Sequence, residues 1–186
     1  VEKNDKEFIA AVDCTGHGVP GAFMSIIGHN MLNKIVKEYG IMKPSEILQH
    51  LDKEVNNTLQ QSTEEKYIVK DGMDMTLVCY DRKEKILEFS GAYNPIYLIR
   101  DGELTETKGD RFTIGRSVTD VQEKKFTNHI IKIKEGDTIY LFSDGYADQF
   151  GGVFRKKFKS APMKELFLKI QNKKMEEQKS ILDSTI

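Results

Sequence analysis

Two strand-like segments near opposite ends of the chain each end on an aspartate that is followed by glycine. Residues 7–14 form an apolar run that delivers Asp13 to a glycine-rich turn, and residues 138–143 deliver Asp144 and Gly145 in the same way. Hard divalent cations such as Mg²⁺ and Mn²⁺ select carboxylate and carbonyl oxygens. Either aspartate alone is a common way to close a strand. Together they predict a shared metal site.

Length and composition limit the possible classes of protein. The 186 residues suit one domain with a buried core, and a formal charge of -1 gives no electrostatic support for a nucleic-acid partner. No apolar run approaches the roughly 20 residues that cross a bilayer, and the start shows no signal-peptide pattern. We therefore expect a cytoplasmic protein without membrane contact in this segment, in which Cys14 and Cys79 are reduced.

Apolar periodicity predicts both helices and strands. Helical spacing covers 20–40 and 44–62, the period changes to two from Tyr67, and the segment from Pro162 onward is helical again. The predicted strands are 75–80, 86–90, 95–100, 103–107, 126–133 and 138–143, of which the first four are expected to form an antiparallel meander. Two adjacent helices among antiparallel strands favour an α+β layered sandwich with helices on the sheet faces.

Other kinds of site fit the same residues less well. Residues 16–21 match the glycine pattern of a dinucleotide-binding turn, but a second helix follows where a parallel strand is required, and Asp13 would repel a pyrophosphate. Cys14 does not begin a Cys-x5-Arg phosphatase loop, because Pro20 occupies the sixth position after it. The four histidines show no metal-ligand spacing, so zinc chemistry is not expected.

Four motifs resemble the metal-dependent PPM protein phosphatases, in the branch of SpoIIE and RsbU. They occupy 13–22, 72–77, 90–95 and 142–152, in the family's order and over essentially the whole chain. The resemblance implies an α-β-β-α sandwich of mainly antiparallel sheets flanked by helices, with two Mn²⁺ or Mg²⁺ ions at one edge of the paired sheets. It also implies hydrolysis of phosphoserine or phosphothreonine on proteins. Two such ions can activate a shared water, so no protein nucleophile is needed.

The motifs assign roles to individual residues. Asp13 matches the bridging metal carboxylate, the backbone carbonyl of Cys14 matches a metal ligand, and Asp144 matches the ligand of the Ser-Asp-Gly motif. The resemblance therefore implies that Asp13 and Asp144 are the catalytic metal-binding carboxylates.

Three further residues are expected to support the site. Asp74 either contributes to the metal site, directly or as a support, or closes a loop. His17 either donates a proton to the leaving group or is a loop residue hydrogen-bonded to the backbone. Gly145 completes the Ser-Asp-Gly motif.

The sequence departs from the family pattern at both ends. Family members have an earlier strand with another acidic ligand, and a closing strand with an Asp-Asp motif. Val1 begins after the first and Ile186 ends before the second. We therefore expect residues 1–186 to be a single PPM-type domain that lacks both ligand-bearing strands. Such a chain would bind metal weakly and turn over little, whereas the intact parent would be active.

The expected role is that of an output domain in a bacterial signalling protein, behind an N-terminal sensor domain. Its substrate would be a phosphorylated protein, by analogy an anti-sigma factor antagonist. The alternative is a degenerate phosphatase-fold module that binds a phosphoprotein or a regulator without catalysis. Retention of both Asp13 and Asp144 favours the enzyme.

Overall fold

The structure is a computed structural model that describes residues 1–61, 72–115, 124–151 and 156–185. The helices in these ranges are α1 (Gly18–Lys37), α2 (Pro44–Gln61), α3 (Ser160–Ile170) and α4 (Met175–Thr185). The strands are β1 (Glu2–Lys3), β2 (Lys6–Cys14), β3 (Met73–Asp81), β4 (Ile86–Ala92), β5 (Ile96–Arg100), β6 (Glu103–Thr107), β7 (His129–Lys132), β8 (Thr138–Leu141), β9 (Phe150–Gly151) and β10 (Lys156–Lys157). The predicted helix end at Ser62 and the predicted change of period at Tyr67 lie outside the described residues. None of the helices in these ranges combines the length and the apolar content that a membrane crossing requires.

The strands form two main antiparallel sheets, which confirms the predicted α+β class. The first sheet has the order β1-β2-β3-β4-β7 and the second has the order β6-β5-β8, while β9 and β10 form a separate pair. In the described chain α1 is followed by α2, and β2 pairs with β3 in antiparallel fashion. The parallel β-α-β unit of a dinucleotide-binding turn is therefore not formed there.

Three apolar clusters separate four layers. The first lies between the first sheet and helices α1 and α2, the second lies between the two sheets, and the third lies between the second sheet and helices α3 and α4. Buried members are Ile35, Leu48 and Met75 in the first, Val78, Phe89 and Ile96 in the second, and Tyr97, Met163 and Phe167 in the third. The order of layers is helix, sheet, sheet, helix, as the resemblance implies.

Strand alternation along β3 determines which layer each residue meets. Met73, Met75 and Leu77 join the cluster beneath α1 and α2, whereas Val78 joins the cluster between the sheets. Successive side chains of a strand point to opposite faces. Asp74 is an even number of residues from Val78, so its side chain is on the same face of β3, which faces the second sheet.

The predicted meander is wrong at one connection, the one from β4 to β5. These strands belong to different sheets, because β4 pairs with β3 and β5 pairs with β6. The chain crosses at Tyr93, where φ is 68°, and at Pro95, which has no N–H to donate to a neighbouring strand. Gly91 makes the crossing possible: a Cβ there would lie 2.4 Å from the Asn94 carbonyl oxygen and 2.9 Å from the Gly109 Cα.

The strand predicted over 126–133 is shorter in the structure, because side chains hold its first residues outside the sheet. Thr127 donates hydrogen bonds to the Asp110 carboxylate from its backbone nitrogen (2.7 Å) and its hydroxyl (2.9 Å). Asn128 donates from Nδ2 to Glu88 Oε2 at 2.7 Å. Ladder pairing therefore begins only at β7.

The C-terminal segment, predicted as helical from Pro162 onward, contains a break between α3 and α4. The buried Gln178 side chain binds the backbone at this break. Its Nε2 donates to the carbonyl oxygens of Gln171 (3.3 Å) and Lys173 (3.0 Å), and its Oε1 accepts a 2.8 Å bond from the Tyr140 hydroxyl. One side chain thus satisfies carbonyl groups at the break and ties α4 to the second sheet.

Candidate metal centre

Two carboxylates face each other across β2 and β3. The register of this strand pair places Asp13 directly opposite Asp74. Directly opposite residues of an antiparallel pair have their Cβ atoms about 4.5–5.5 Å apart, and like charges at such positions destabilise the sheet. A bound cation would remove that repulsion.

Asp144 reaches the same place from the second sheet. β8 ends at Leu141, and Asp144 follows in a turn in which its carbonyl oxygen accepts a 2.9 Å bond from the Asp148 backbone nitrogen. An open pocket of about 170 Å³ is lined by Asp13, Cys14, Thr15, Asp74, Asn94 and Asp144. The structure thus brings Asp13 and Asp144 together, although they lie near opposite ends of the sequence.

The pocket concentrates negative charge. Partial burial of its carboxyl group raises the pKa of Asp144, and repulsion from Asp13, Asp148 and Asp74 raises it further. The Asp144 residue as a whole is exposed, so solvent still screens part of this repulsion. A divalent cation would be attracted by the same charges that disfavour ionisation of Asp144.

Hydrogen bonds fix the strand ends that carry the carboxylates. Thr15 and Gly72 exchange backbone and hydroxyl contacts: Thr15 N donates to Gly72 O at 2.8 Å, and Gly72 N donates to Thr15 Oγ1 at 2.6 Å. The Thr113 hydroxyl donates to Asp74 Oδ1 at 2.9 Å. The positions of Asp13 and Asp74 are therefore set by the backbone of β2 and β3, and the Asp74 carboxylate also by a hydrogen bond.

The glycine-rich turn after β2 requires its glycines. Gly16 has a φ of 87°, and a Cβ on Gly21 would lie 2.9 Å from the Gly16 carbonyl oxygen. His17 is the exposed N-cap residue of α1 and makes no side-chain capping bond. It is not among the residues that line the pocket.

Cys14 and Gly145 flank the carboxylates in different ways. The Cys14 thiol accepts a 3.5 Å bond from the Ser25 hydroxyl, and Cys14 lines the pocket. Gly145 does not line it, and its backbone nitrogen donates to Ser143 Oγ at 3.3 Å. Gly145 thus belongs to the turn that presents Asp144.

The donor chemistry of the pocket fits a hard divalent cation, since its ionisable oxygens are those of Asp13, Asp74 and Asp144. Among the residues that the structure describes, no three His, Cys, Asp or Glu side chains are arranged so that they could hold a metal ion between them. Mg²⁺ usually retains several waters and uses only one or two protein carboxylates. A pair of carboxylates such as Asp13 and Asp144 is compatible with that mode of binding.

Sequence reasoning did not single out three residues of the site. Asn94 and Thr15 line the pocket, and Thr113 holds Asp74 from 39 positions away. The Asn94 Nδ2 atom is buried and has no hydrogen-bond partner within the described chain. The Asn94-Pro95 pair gave a turn signal and lies in the 90–95 motif, but neither assigned Asn94 a role in the site. No local pattern connects Thr113 to Asp74.

Comparison with known proteins identifies the family. A family model described as Stage II sporulation protein E (SpoIIE) matches residues 3–184. The chain belongs to the SpoIIE family. This confirms the resemblance that the four motifs indicated. No curated protein gives a significant match to this SpoIIE-family chain.

Solved structures agree with the assignment. The SiaA PP2C domain of Pseudomonas aeruginosa is 30% identical, with a TM-score of 0.85 over 100% of this chain and 70% of that one. The PP2C phosphatase domain of SpoIIE from Bacillus subtilis, solved with a fragment of its regulatory domain, is 22% identical (TM-score 0.64; 96% of this chain, 47% of that one). The RsbU and RsbW domains of a Mycobacterium tuberculosis protein are 19% identical (TM-score 0.69; 96% of this chain, 45% of that one). The last two likenesses show the fold alone, and the SpoIIE-family chain spans less than half of each. It is a PP2C-like phosphatase domain of the SpoIIE/RsbU type.

Proposed function

We propose that this domain hydrolyses phosphoserine or phosphothreonine on a regulatory protein in a metal-dependent reaction. The observation that carries the proposal is the meeting of Asp13, Asp74 and Asp144 in one pocket. Partial burial and then repulsion from the neighbouring carboxylates raise the pKa of Asp144, and a bound cation would offset this repulsion. Membership of the SpoIIE family supports the phosphatase class.

In this proposal Asp13 and Asp144 hold Mn²⁺ or Mg²⁺, two ions in the intact domain, and the Cys14 carbonyl is a further oxygen ligand. Bound ions of this kind supply an activated water and polarise phosphoryl oxygens. The chain itself contributes positioning. β2 and β3 hold Asp13 and Asp74 in register, and the turn after β8 brings Asp144 to them. Because a preorganised site does not reorganise during reaction, this rigidity lowers the barrier.

We propose that the substrate is a phosphorylated regulatory protein, namely an anti-sigma factor antagonist, and that an N-terminal sensor domain in the parent protein controls the phosphatase. The relatives support this role in signalling. One solved protein carries RsbU and RsbW domains together, and the SpoIIE structure includes a fragment of a regulatory domain. The experiment that tests this is phosphoproteomic comparison of cells with and without the active protein.

The direct test of catalysis is hydrolysis of p-nitrophenyl phosphate by the full-length protein in a MnCl₂ titration. We expect Asp13→Asn and Asp144→Asn to lower kcat at least about 100-fold, because even residues outside the first ligand shell cost about 10–100-fold when they are changed. Glu165→Gln is the matched control, since Glu165 is an exposed carboxylate on α3, outside the pocket.

Two outcomes would contradict the proposal: turnover that persists after chelation of all divalent ions, or no turnover at saturating Mn²⁺. A protein that binds a phosphorylated regulator tightly and leaves it intact would instead fit the degenerate module. Such a module has no physical requirement for both Asp13 and Asp144, so Asp144→Asn would leave its binding unchanged.

A further inference from the structure

A buried ion pair is formed by two residues that do not line the pocket. Lys124 Nζ contacts Asp52 Oδ1 at 2.7 Å, and their side chains are only 8% and 11% exposed. Asp52 lies on α2 between the fully buried core residues Leu51 and Val55. Burying two charges costs several kcal/mol for each ion, and an apolar pair of similar volume is often as stable. Stability alone therefore does not explain why these two charges are buried.

The pair holds the backbone of one short segment, residues 113–115. Lys124 Nζ donates to the carbonyl oxygen of Thr113 at 2.8 Å, and Asp52 Oδ1 accepts from the backbone nitrogen of Gly115 at 2.9 Å. Between them Ile114 exchanges two 2.9 Å backbone bonds with Met73 of β3. The segment is thus bonded to α2 directly at Gly115 and through Lys124 at Thr113, and it is bonded to β3 in the middle.

This segment ends at the pocket. Thr113 donates from its hydroxyl to Asp74 Oδ1 at 2.9 Å, and Asp74 lines the pocket opposite Asp13. Asp52 on α2 therefore contacts Lys124, Lys124 holds the backbone carbonyl of Thr113, and the hydroxyl of the same threonine holds a carboxylate of the site. Directional bonds of this kind specify one orientation of a side chain, which an apolar contact does not.

We propose that Asp52 and Lys124 form a positioning clamp: they hold Thr113 so that its hydroxyl orients the Asp74 carboxylate and thereby sets the affinity of the pocket for a divalent cation. This inference rests on the proposed function, because it assumes that the pocket binds such an ion. It makes α2, a helix of the outer layer, part of the metal centre. Outer-shell partners of metal sites typically change affinity about 10–100-fold when they are removed.

The test is the dissociation constant of MnCl₂, measured by calorimetry and by loss of the free-ion EPR signal, on the chain and on the full-length protein. Thr113→Val keeps the side-chain volume and removes the hydroxyl, so we expect about tenfold weaker binding. Thr113→Ser retains the donor and is expected to bind as the wild type does. Thr105→Val, at an exposed position of β6, is the matched control and should leave the affinity unchanged.

The upstream residues are tested by Asp52→Asn and Lys124→Met, which should also weaken Mn²⁺ binding. Because they act through Thr113, combining Lys124→Met with Thr113→Val should cost no more affinity than the larger single effect. Thermal unfolding of the metal-free variants identifies any that fail to fold. A merely structural role would lower the unfolding temperature and leave the Mn²⁺ affinity of the folded fraction unchanged.

The two proposals fail in distinguishable ways. If the wild-type full-length protein binds no Mn²⁺, the proposed function is wrong and the clamp proposal is wrong with it. If the wild type binds Mn²⁺ and Thr113→Val binds it equally well, only the clamp is wrong. Full additivity of Lys124→Met and Thr113→Val would likewise show that Lys124 does not act through Thr113.

Discussion

The acidic pocket should make the metal-free protein less stable than a version with one carboxylate removed. Asp13 faces Asp74 directly across the β2–β3 pair and also repels Asp144. Asp13→Asn keeps the shape of the side chain and removes its charge. The variant that loses metal binding is therefore expected to be the more stable protein in the absence of metal.

The magnitude follows from the contacts. A favourable cross-strand pair contributes roughly 0.2–1 kcal/mol and like charges directly opposite are destabilising, so we take a cost of the same size for the Asp13–Asp74 pair. Asp13 has one such contact, with Asp74, and a second repulsive contact with the partly exposed Asp144. The expected gain is about 1 kcal/mol in the free energy of unfolding, which corresponds to a rise of about 2–4 °C in Tm for a domain of this size.

The assay is thermal unfolding of the wild type and of Asp13→Asn in EDTA, at low salt and at about 1 M salt, where the screening length falls to about 3 Å. We expect the variant to unfold at the higher temperature at low salt, and the difference to shrink at high salt. Added Mn²⁺ should raise the Tm of the wild type and not that of the variant.

Glu165→Gln serves as the control for a change in net charge. Glu165 precedes Lys169 by four residues on α3, a favourable spacing, so its loss should give no gain in stability. If Asp13→Asn is no more stable than the wild type in EDTA, or if its advantage is independent of salt, repulsion within the pocket is not a source of instability.

Three further predictions concern the scaffold. Gly91→Ala should lower the free energy of unfolding by about 3 kcal/mol in urea denaturation, because its Cβ would meet backbone atoms at 2.4–2.9 Å, whereas Gly28→Ala meets only the flexible end of a methionine and should cost little. Arg100→Ala should lower the denaturation midpoint at pH 7, because Arg100 bonds the 1% exposed Asp137 carboxylate at 2.6–2.8 Å and holds the pKa of Asp137 below its ordinary 3.8. A carboxyl group whose pKa is lowered on folding stabilises the fold above its ordinary pKa, and this stabilisation is lost as the pH falls through the lowered pKa. The destabilisation caused by Arg100→Ala should therefore fade below pH 3.8 when denaturation midpoints are measured over a pH series. Phe167→Ala should cost about 3–5 kcal/mol in the same urea assay, since its ring stacks on Tyr140 at 4.1 Å between α3 and the second sheet.

The elements of the fold were largely predictable because their signals are local. The helix from Pro44 and the strands near 75–80 and 86–90 carry strong periodicity, and the structure places an element at each. The crossing from β4 to β5 was not predictable in the same way. It depends on Gly91 packing against Gly109, a contact between segments that no local pattern links.

The same distinction between local signals and tertiary contacts applies to the residues of the candidate site. Asp13 and Asp144 were found because each comes at the end of an apolar, strand-like run of the sequence, which is a local signal. Thr113 and Asn94 were not, because their roles come from hydrogen bonding and burial set by the tertiary fold. The repeated strand-end signal predicted that the two aspartates share a metal site, and the motif resemblance then implied a role for each.

The register between β2 and β3 links the alternation of side chains along each strand to the geometry of the site. Side chains alternate along a strand, so a slip of one residue between β2 and β3 would move Asp74 to the face that packs against α1 and α2. That face carries Met73, Met75 and Leu77, which are buried in an apolar cluster, and a carboxylate among them would be prohibitively costly. The apolar cluster therefore enforces the register that sets Asp74 opposite Asp13. The pocket keeps its repulsive carboxylates because the core beneath the helices allows β3 only one alignment.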